Sequence, residues 1–528
     1  MTTVNIMNFV RATEPRLEMD LFGCLEKQLA CMEKYGLKST LLLQYDALIN
    51  EEYRNLIKQY EGILDIGLWL EIVRPLCNKA GVKYNGRLDW GWDHHSNATF
   101  AIGYDIEDRY KLIDVAMEDF KTYFGKYPNI VGSWTIDAKS MLYLKTKYGI
   151  LGSVNCIDQM GIDGYTFWGG YPAGAYYPSI NNVFCPANDI SQQINLPVFR
   201  FSGVDLIHYY GGTQIYTLEP AALDAGGNES WTKWYYEQVL SNPSLNFSYL
   251  QTGQENSFGW NRLGKGFERQ CQMISEYKKN GKVQLQTMTE TSRDFMRKFT
   301  VTPAIAKCFM QDWSKEDKQS VWYVNRFYRA ALLADEQGVT IRDIFRFDSN
   351  LKERYLNKKE LTRSCFYTNV EVFSGLSRRD DLKPAGYLRS DKTQNNARMS
   401  VKEVGKNELE VLTTDGFRIL FEEMQMSIFS DDGRPFSVEF IYRQPPMFND
   451  VDDHEGIDFD AMRRMFNPPE YEVEDNTLKF RLEREGDIFA YEVDVLCGNV
   501  QKTQNGFTIT AKENKGITLF LAKPGTYI

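Results

Sequence analysis

The chain has 528 residues, 43% of them apolar and 25% charged, which is typical of a globular protein with two or three domains. Its formal net charge is −10 and it has no long basic run, so nucleic acid and anionic membrane surfaces are disfavoured as partners. No stretch approaches the roughly 20 apolar residues of a membrane-spanning helix. A strand is predicted almost at once, at residues 4–10, and no signal peptide is visible. We therefore expect a cytoplasmic protein, or a periplasmic one if a signal has been removed.

Aromatic residues make up 14% of the chain, which suits sugar-binding clefts and large cores alike. The nine cysteines are scattered, mostly in apolar contexts, and no CxxC pair occurs. They predict buried free thiols in a reducing compartment, with no disulfide framework and no cysteine zinc site. P-loop, GxGxxG and GxSxG motifs are missing at the positions where they would carry chemistry, so we predict no cofactor.

Residues 1–302 alternate apolar strands with amphipathic helices. The predicted strands are 4–10, 39–46, 63–71, 130–136, 151–156, 197–201, 246–252 and 283–288. Continuous apolar runs, such as the one at 40–43, are typical of parallel strands buried on both faces. Seven or eight strand–helix units predict an α/β fold, a (β/α)7–8 barrel that is closed or incomplete.

Two other regions depart from this alternation. An aromatic and glycine-rich loop is predicted at 157–186, and a loop of that length in a compact domain is usually functional. After Pro303 strand-like alternation takes over, and Asp431-Asp-Gly-Arg434 is typical of a hairpin turn. We predict three segments: the barrel at 1–302, a mixed connecting segment at 303–400, and a β-sandwich at 401–528.

The stretch 131–138 predicts a buried strand that ends at Asp137, directly before a helix. A carboxylate at the carboxyl end of a barrel strand is a common position for catalytic chemistry. The same aspartate could instead cap the helix through free N–H groups.

A barrel brings all strand exits to one mouth, and carboxylates and aromatics together there suit glycoside chemistry. One carboxylic acid protonates the leaving oxygen, and a second carboxylate attacks the sugar or activates water. The mouth is predicted to collect Asp46, Glu71, Asp137, Asp158, Asp205, Glu255 and Glu290, with Trp69, Trp134, Trp168 and Trp260.

Glu255 is the sharpest catalytic candidate, because it follows a strand in a glycine-flanked turn, although a solvent-facing glutamate would look the same. Asp46 could cap the next helix, and Glu71 could pair with Arg74. Asp158 and Asp163 flank glycines and could be turn residues rather than ligand binders.

Histidines offer few metal ligands. His94 and His95 follow Trp92 and Asp93, but neighbouring residues of a strand point in opposite directions, so both rings rarely serve one metal. Hydrogen bonding to sugar hydroxyls is at least as favoured for one of them. His208 lies three residues after Asp205 and could share a site with it. We predict no bound metal.

Several short motifs resemble the glycoside hydrolase/deacetylase superfamily. The stretch 34–43 resembles the second strand of polysaccharide deacetylases, 65–69 their third strand, and 124–131 the turn before their fourth strand. A closer resemblance is to bacterial domain-of-unknown-function families 3863 and 3864, through 8–11, 44–47, 67–71, 169–171 and 253–256. The resemblance implies a barrel followed by a β domain, without an established activity.

The departures from deacetylases concern their metal ligands. Deacetylases carry an aspartate pair after strand one and two histidines after strand three, whereas this chain has Asn8 to Arg11 and, at the first histidine position, Trp69. Trp134-Thr-Ile-Asp137 resembles the nucleophile motif of family-57 type glycosidases, with Asp in place of Glu, which implies Asp137 as nucleophile and Glu255 as acid.

Our leading hypothesis is a metal-independent glycoside hydrolase acting on a poly- or oligosaccharide. Asp137 and Glu255 would be catalytic. The substrate would be bound by Asp46, Glu71, Trp69, Trp92, His94, His95, Trp134, Asp158, Asp163, Trp168, Asp205, His208 and Trp260. The alternatives are a non-catalytic carbohydrate-binding protein and a divergent metal-dependent deacetylase that uses His94 or His95 with Asp46 or Asp205. The sequence does not set the oligomeric state.

Overall fold

The structure is a computed structural model that describes residues 1–162, 165–172, 174–200, 203–208, 216–376, 385–442, 468–484, 486–512 and 515–528. Asp163 and the acidic run at 451–460 lie outside these residues. In the part of the chain that is described, no helix is both long and apolar enough to cross a lipid bilayer.

Residues 1–302 form a curled sheet with helices around it. Its strands, with those of the inserted loops, are β1 (Thr2–Val10), β2 (Ser39–Leu43), β3 (Leu64–Trp69), β4 (Ile130–Gly132), β5 (Gly152–Asn155), β6 (Gln159–Ile162), β7 (Tyr165–Trp168), β8 (Ala175–Tyr176), β9 (Val198–Arg200), β10 (Tyr249–Thr252) and β11 (Val283–Leu285). The α-helices are α1 (Leu21–Lys34), α2 (Tyr45–Ile49), α3 (Glu51–Gln59), α4 (Arg74–Ala80), α5 (Ser96–Thr99), α6 (Ile106–Phe124), α7 (Ala138–Tyr143), α8 (Glu229–Ser241), α9 (Trp260–Lys279) and α10 (Met288–Lys298).

The sheet order is β10-β1-β2-β3-β4-β5-β9-β8, and β11 also pairs with β1. The pairs from β10 to β9 are parallel, and only β8 runs antiparallel to its neighbour. The predicted α/β alternation is therefore confirmed. The sheet is a half-barrel, because β9 and β10 do not pair with each other.

Parallel pairing places the carboxyl ends of the strands at one edge, which we call the mouth. Glu290 does not lie there, contrary to the sequence prediction. Strand β11 pairs with the start of β1, and Glu290 caps α10 and pairs with Lys38, just before β2 begins. A short eighth strand thus puts the helix that follows it at the opposite end of the sheet.

Two local predictions also change. The fourth strand ends at Gly132, so Asp137 is the N-cap of α7 rather than the last strand residue. Helix α7 continues into a π-helical turn at Leu144–Tyr148, and Gly149 ends it in the left-handed conformation (φ 69°), which favours glycine. The long loop after β5 is partly ordered into β6, β7 and β8.

The remainder of the chain is β-rich. Its strands are β12 (Ile305–Phe309), β13 (Gln319–Val324), β14 (Tyr328–Asp335), β15 (Gly338–Arg346), β16 (Cys365–Thr368), β17 (Val370–Ser374), β18 (Ala385–Arg389), β19 (Met399–Gly405), β20 (Glu408–Thr413), β21 (Phe417–Phe421), β22 (Gln425–Ser430), β23 (Ser437–Ile441), β24 (Glu470–Glu474), β25 (Thr477–Arg484), β26 (Asp487–Cys497), β27 (Asn499–Thr503), β28 (Gly506–Thr510), β29 (Ile517–Phe520) and β30 (Thr526–Tyr527).

Apart from β16, these strands form two antiparallel sheets. One has the order β12-β13-β14-β15-β18-β23-β28-β27, with β17 on β15; the other has β19-β20-β21-β22-β29-β26-β25-β24, with β30 on β26. Apolar residues from both, such as Leu332 and Phe480, share one hydrophobic core. Strands from 303–400 and from 401–528 therefore belong to the same sheet.

The two parts of the chain are also joined directly. Strand β16 pairs in parallel with β7, and β7 pairs with β6, so one strand of this three-stranded sheet comes from the β-rich part. Buried residues of the β-rich part, including Ile305, Trp322 and Tyr367, pack into the core of the half-barrel.

Candidate active site at the strand exits

Arg11 is the centre of the mouth. It follows β1 and is only 2% exposed. Its Nε and Nη2 donate to the Glu71 carboxylate at 3.2 and 3.1 Å, and its Nη1 donates to Ser257 Oγ at 3.1 Å. The same Nη1 lies 2.7 Å from Glu255 Oε2. One guanidinium group thus ties together the exits of β1, β3 and β10.

The charge of Arg11 is held by these carboxylates. Burial alone would lower the pKa of Arg11. The negative charges of Glu255 and Glu71 outweigh this effect and raise the pKa of Arg11 above its ordinary value. The guanidinium carbon also lies 4.1 Å from the centre of the Trp92 ring and 5.1 Å from that of Phe9. These contacts leave Arg11 charged and fixed in orientation.

Gly253 makes the turn that places Glu255 at the mouth. Its φ is +122°, a conformation that favours glycine, and a Cβ there would lie 1.9 Å from the carbonyl oxygen of Met7. The next backbone N–H, that of Gln254, donates to Asn8 Oδ1 at 2.9 Å. The turn is therefore clamped against β1, and Glu255 projects toward Arg11.

Glu255 is the carboxyl group best suited to move a proton. About 10% of its side chain is exposed. Burial raises its pKa to about 7; Arg11 works against this rise, and the charges of Glu71 and Glu219 add to it. Its 2.7 Å contact with Arg11 lacks the alignment of a hydrogen bond, so Oε2 is close to a cation yet accepts no hydrogen bond. Near neutral pH this carboxyl group exists in both protonation states.

Glu71 positions Arg11 rather than a ligand. Its side chain is fully buried. Besides the two bonds from Arg11, it accepts one from Gln44 Nε2 at 2.6 Å. The predicted pairing with Arg74 is not present: the ion pair goes to Arg11, because Arg74 lies on α4, where its guanidinium donates to the carbonyl of Leu88.

Asp46 holds the loop that follows Arg11. Its carboxylate accepts from the N–H of Ala47 at 2.7 Å and of Ala12 at 3.1 Å. Burial raises the pKa of Asp46 to about 6, although these hydrogen bonds and one from Thr13 work against the rise. Asp46 lies in the first turn of α2 and fastens the exit of β1 to that of β2.

Glu219 is a second carboxylate beside Glu255 that the sequence did not reveal. It is partly exposed, but its carboxyl group is desolvated, and this raises its pKa against the effects of Gln254 and Arg262. The loop that carries it is attached to the β10 exit, because Ala221 N–H donates to Gln254 Oε1 at 3.2 Å. The charge of Glu219 is near enough to raise the pKa of Glu255.

Aromatic rings line one side of the mouth. Phe9 stacks on Trp69 with ring centres 4.1 Å apart, and Trp134 stands edge-on to both at 5.6 Å. Trp69 and Trp92 are 1% and 2% exposed, so they pack inside the protein and stabilise the site without being open to a ligand. Trp134 is partly exposed and can present its ring to a ligand. Trp260, partly exposed at the start of α9, lies edge-on to Phe267.

Asp158 and Trp168 occupy a buried junction. Asp158 pairs with Arg200 at 2.9 Å and with Arg329 at 2.6 Å, and it accepts from Gly169 N–H at 3.2 Å. Trp168 is 5% exposed on β7, and its ring lies 5.9 Å from the Arg329 guanidinium. Both oxygens of Asp158 are engaged within the protein, so a role in binding a sugar hydroxyl has no support from this geometry.

His94 and His95 lie beside Trp92 on the segment before α5. His95 Nδ1 lies 2.9 Å from Asp93, which also binds Arg87. Burial alone would raise the pKa of Asp93, but the hydrogen bonds from His95 and Arg87 hold it well below its usual range. The rings of His94 and His95 are 4.4 Å apart, and about 22% of the His94 side chain is exposed. His95 belongs to an internal network, and His94 is the histidine that a ligand can reach.

Asp137 has the contacts of a helix cap. Its Oδ1 accepts from Ser140 N–H at 3.0 Å and lies 3.2 Å from Arg109 Nη1, and its Oδ2 accepts from Ser140 Oγ at 2.6 Å. Its side chain is fully buried, and no hydrogen bond or ion pair joins Asp137 to Glu255, both of which are described. The nearby Glu353, which accepts from Ala138 and Val183 N–H, has its pKa raised to about 8 by burial and by Asp137. The alternative of a cap is thus the arrangement observed.

The residues at the positions where deacetylases carry their metal ligands make other contacts in this structure. Asn8 binds the Gln254 backbone, and Trp69 stacks on Phe9. In the described part of the chain, one group of His, Cys, Asp and Glu has ligand atoms close enough for a shared metal: His208, Asp312 and Glu316. Asp205 belongs beside it, since Asp205 Oδ2 lies 3.0 Å from His208 Nδ1.

Sequence patterns thus found part of the mouth. They predicted the exits that carry Asp46, Glu71 and Glu255, which the structure brings together through residues 11 and 12. They missed Arg11 as the link, although an arginine directly after a buried strand is a signal of a buried ion pair. They also missed Glu219 and Glu353, which lie in loops with no strand pattern to mark them.

Parts of the chain resemble solved structures. One assigned as a glycoside hydrolase/deacetylase from Parabacteroides distasonis has a TM-score of 0.49 and 13% identity, covering 72% of this chain and 93% of that one. An allantoinase has a TM-score of 0.36 and 10% identity over 57% of this chain and 92% of its own. A structure assigned as a polysaccharide deacetylase from Mycobacterium smegmatis has a TM-score of 0.34 and 13% identity, over 55% and 89%.

No family model matches the chain, and no curated protein matches it. The resemblance to families 3863 and 3864 therefore rests on the short motifs quoted above.

Proposed function

We propose that the mouth of the half-barrel is the active site of a metal-independent glycoside hydrolase in which Glu255 is the general acid. The observation that carries this proposal is a largely buried glutamate at a strand exit, 2.7 Å from a fixed arginine; burial raises the pKa of this glutamate to about 7. A general acid works best when its pKa lies near the operating pH, since it must be protonated before the reaction and give up its proton during it.

Arg11 and Glu71 make the loss of a proton from Glu255 more favourable. When Glu255 donates its proton to the leaving oxygen of a glycoside, it gains a negative charge 2.7 Å from the guanidinium. Arg11 stabilises that charge more than it does the neutral acid, and Glu71 keeps Arg11 in place through two hydrogen bonds. The arrangement therefore favours the deprotonated product of the first step.

The second carboxylate is Glu219 in this proposal. It lies near enough to Glu255 to raise its pKa, and part of it is open to solvent. Glycoside hydrolases place their two carboxyl groups roughly 5 to 10 Å apart, with the short distance for retention and the long one for inversion. The role of Asp137 as nucleophile stays a prediction, and its full burial favours Glu219 for the task.

The acidic groups of the mouth favour a neutral sugar as the ligand. Arg11 and Arg16 are each paired with glutamates, and Glu219 and Asp46 add further acidic groups. Acidic groups at a binding site disfavour an anionic saccharide such as a polyuronide. The partly exposed ring of Trp134 provides a surface on which the C–H face of a sugar can pack.

The test is a screen of the full-length protein and its Glu255→Gln variant against aryl glycosides and neutral polysaccharides, with reducing-end release as the readout. The proposal expects turnover by the wild type and its loss in the variant. Glycan binding without release in both proteins would instead identify a non-catalytic carbohydrate-binding protein. Release of acetate from an acetylated glycan would identify a deacetylase.

A further inference from the structure

His208 is held in one orientation by Asp205. Asp205 is 3% exposed, and its Oδ1 accepts from the backbone N–H groups of Ile207 at 2.8 Å and of His208 at 3.4 Å. Its Oδ2 lies 3.0 Å from His208 Nδ1. A carboxylate at Nδ1 orients the ring and turns Nε2 away from Asp205, the arrangement found around metal-binding histidines, and Nε2 lies 3.4 Å from Ser314 Oγ.

Two carboxylates from the loop after β12 face the Nε2 atom of His208. His208 Nε2 lies 3.7 Å from Asp312 Oδ1 and 3.9 Å from Glu316 Oε2. These distances are too long for direct hydrogen bonds. They are slightly longer than the roughly 3.3 to 3.6 Å that separates two ligand atoms in a tetrahedral zinc site with bonds of about 2.0 to 2.2 Å, so a small side-chain movement would bring these atoms onto one cation. All three candidate ligand atoms lie within 4.8 Å of one another.

Asp312 lacks a cation of its own. Its side chain is fully buried, and it accepts hydrogen bonds from the backbone and hydroxyl of Ser314 at 2.9 Å. It also accepts from the backbone N–H of Lys318 at 3.4 Å. In the described part of the chain no lysine or arginine side chain forms an ion pair with it, and His208 Nε2 lies 3.7 Å from its Oδ1. A buried carboxylate in this state is costly unless a positive charge lies beside it.

We propose that His208, Asp312 and Glu316 bind a divalent transition-metal ion of the zinc class, with Asp205 as the residue that orients the histidine. One imidazole nitrogen and two carboxylate oxygens form a ligand set that zinc accepts, with a fourth position for water or for the Ser314 hydroxyl, 3.4 Å from Nε2. The site uses neither Arg11 nor Glu255 and stands independently of the glycoside hydrolase proposal.

One feature limits the affinity. Lys318 forms an ion pair with Glu316, and a bound ion must displace that ammonium group from the carboxylate. Glu316 is also 56% exposed. We therefore expect His208 and Asp312 to contribute most of the affinity and Glu316 to contribute less.

The experiment is calorimetric titration of the EDTA-treated full-length protein with ZnCl2, with MgCl2 and CaCl2 as comparisons. We expect one Zn²⁺ per chain with a Kd below about 10 µM, and much weaker binding of the two oxygen-preferring ions. His208→Gln and Asp312→Asn should weaken binding by at least about 100-fold, and Asp205→Asn by about 10- to 100-fold.

Two further variants keep the test decisive. Glu316→Gln changes an exposed side chain, so the protein should stay folded, and we expect Zn²⁺ binding to weaken about 10-fold. His94→Gln, at the mouth, should leave binding unchanged. No Zn²⁺ binding by the wild type, or binding that survives His208→Gln, overturns the proposal. Binding lost in His94→Gln alone would place the metal at the mouth and also overturn it.

Discussion

Arg11 Nη1 and Glu255 Oε2 lie 2.7 Å apart, and this contact joins the exits of two neighbouring parallel strands, β1 and β10. The two side chains affect each other in opposite ways. The glutamate raises the pKa of the arginine, whereas burial raises the pKa of the glutamate to about 7 in spite of the arginine. A carboxyl group in this state can hold a proton at neutral pH and still release it beside a cation.

Replacing Glu255 removes the proposed acid. We expect Glu255→Gln to lower kcat by about 10²- to 10⁴-fold on substrates with poor leaving groups, because general acid catalysis contributes about that much. Glycan binding should change little, since the amide keeps the shape of the side chain. The measurements are initial rates and calorimetric binding. Glu276→Gln, an exposed change on α9, is the matched control and should behave as the wild type. Equal rates in all three proteins would exclude Glu255 as the acid.

The pH dependence of turnover should reflect Glu255. Because the acid must be protonated, the rate should fall as the pH rises through about 7. Arg16 lowers the pKa of Glu255, so Arg16→Gln should raise that pKa and move the alkaline limb to higher pH. We expect a shift of roughly 0.2 to 0.5 pH units, because a partly exposed charge is screened. Arg297→Gln, far more exposed, should leave the profile in place. A shift to lower pH in Arg16→Gln would contradict the assignment.

Glu219 is the proposed base or nucleophile. We expect Glu219→Gln to lower kcat by about 10²-fold or more while the protein stays folded, because the residue is partly exposed. Steady-state kinetics with thermal melting as a folding check measures this. Glu229→Gln, on the first turn of α8, provides a control outside the pair. Full activity in Glu219→Gln would return the second catalytic role to another carboxylate, with Asp137 as the first to test.

Substitution of Asp137 tests whether this residue has a structural or a catalytic role. We expect Asp137→Asn to lower the free energy of unfolding by roughly 1 to 3 kcal/mol, because α7 loses a charged cap and buried Arg109 loses a partner. The remaining folded protein should keep its kcat. Urea unfolding and kinetics on the same sample measure both. Unchanged stability together with a loss of kcat would restore the nucleophile assignment.

The sequence was most informative where one local rule decides the outcome. Continuous apolar runs located β1, β2 and β3, and the strand-to-helix order predicted the parallel sheet. Glu255 was found because glycine lies before it at a strand exit, and the positive φ of Gly253 is the physical reason for that signal.

Local sequence patterns did not reveal which residues pair across long distances in the chain. The partner of Glu71 is Arg11, 60 positions away, and that of Asp158 includes Arg329, 171 positions away. The sheet stays open between β9 and β10 because of pairing that no single strand specifies. Glu290 was placed at the wrong end because β11 has only three residues and pairs with the start of β1.

The ion pairs of Asp158 and the pairing of β16 with β7 connect the half-barrel to the β-rich part and affect how the chain unfolds. A fragment ending near residue 302 would lack β16, and Asp158 would be left with Arg200 but without Arg329. It would also expose core positions now covered by Ile305 and Trp322. The half-barrel and the β-rich part therefore depend on each other for stability. Heat or denaturant that disrupts the β-rich part is therefore expected to weaken the mouth as well, because the half-barrel would lose its contacts with β16 and Arg329.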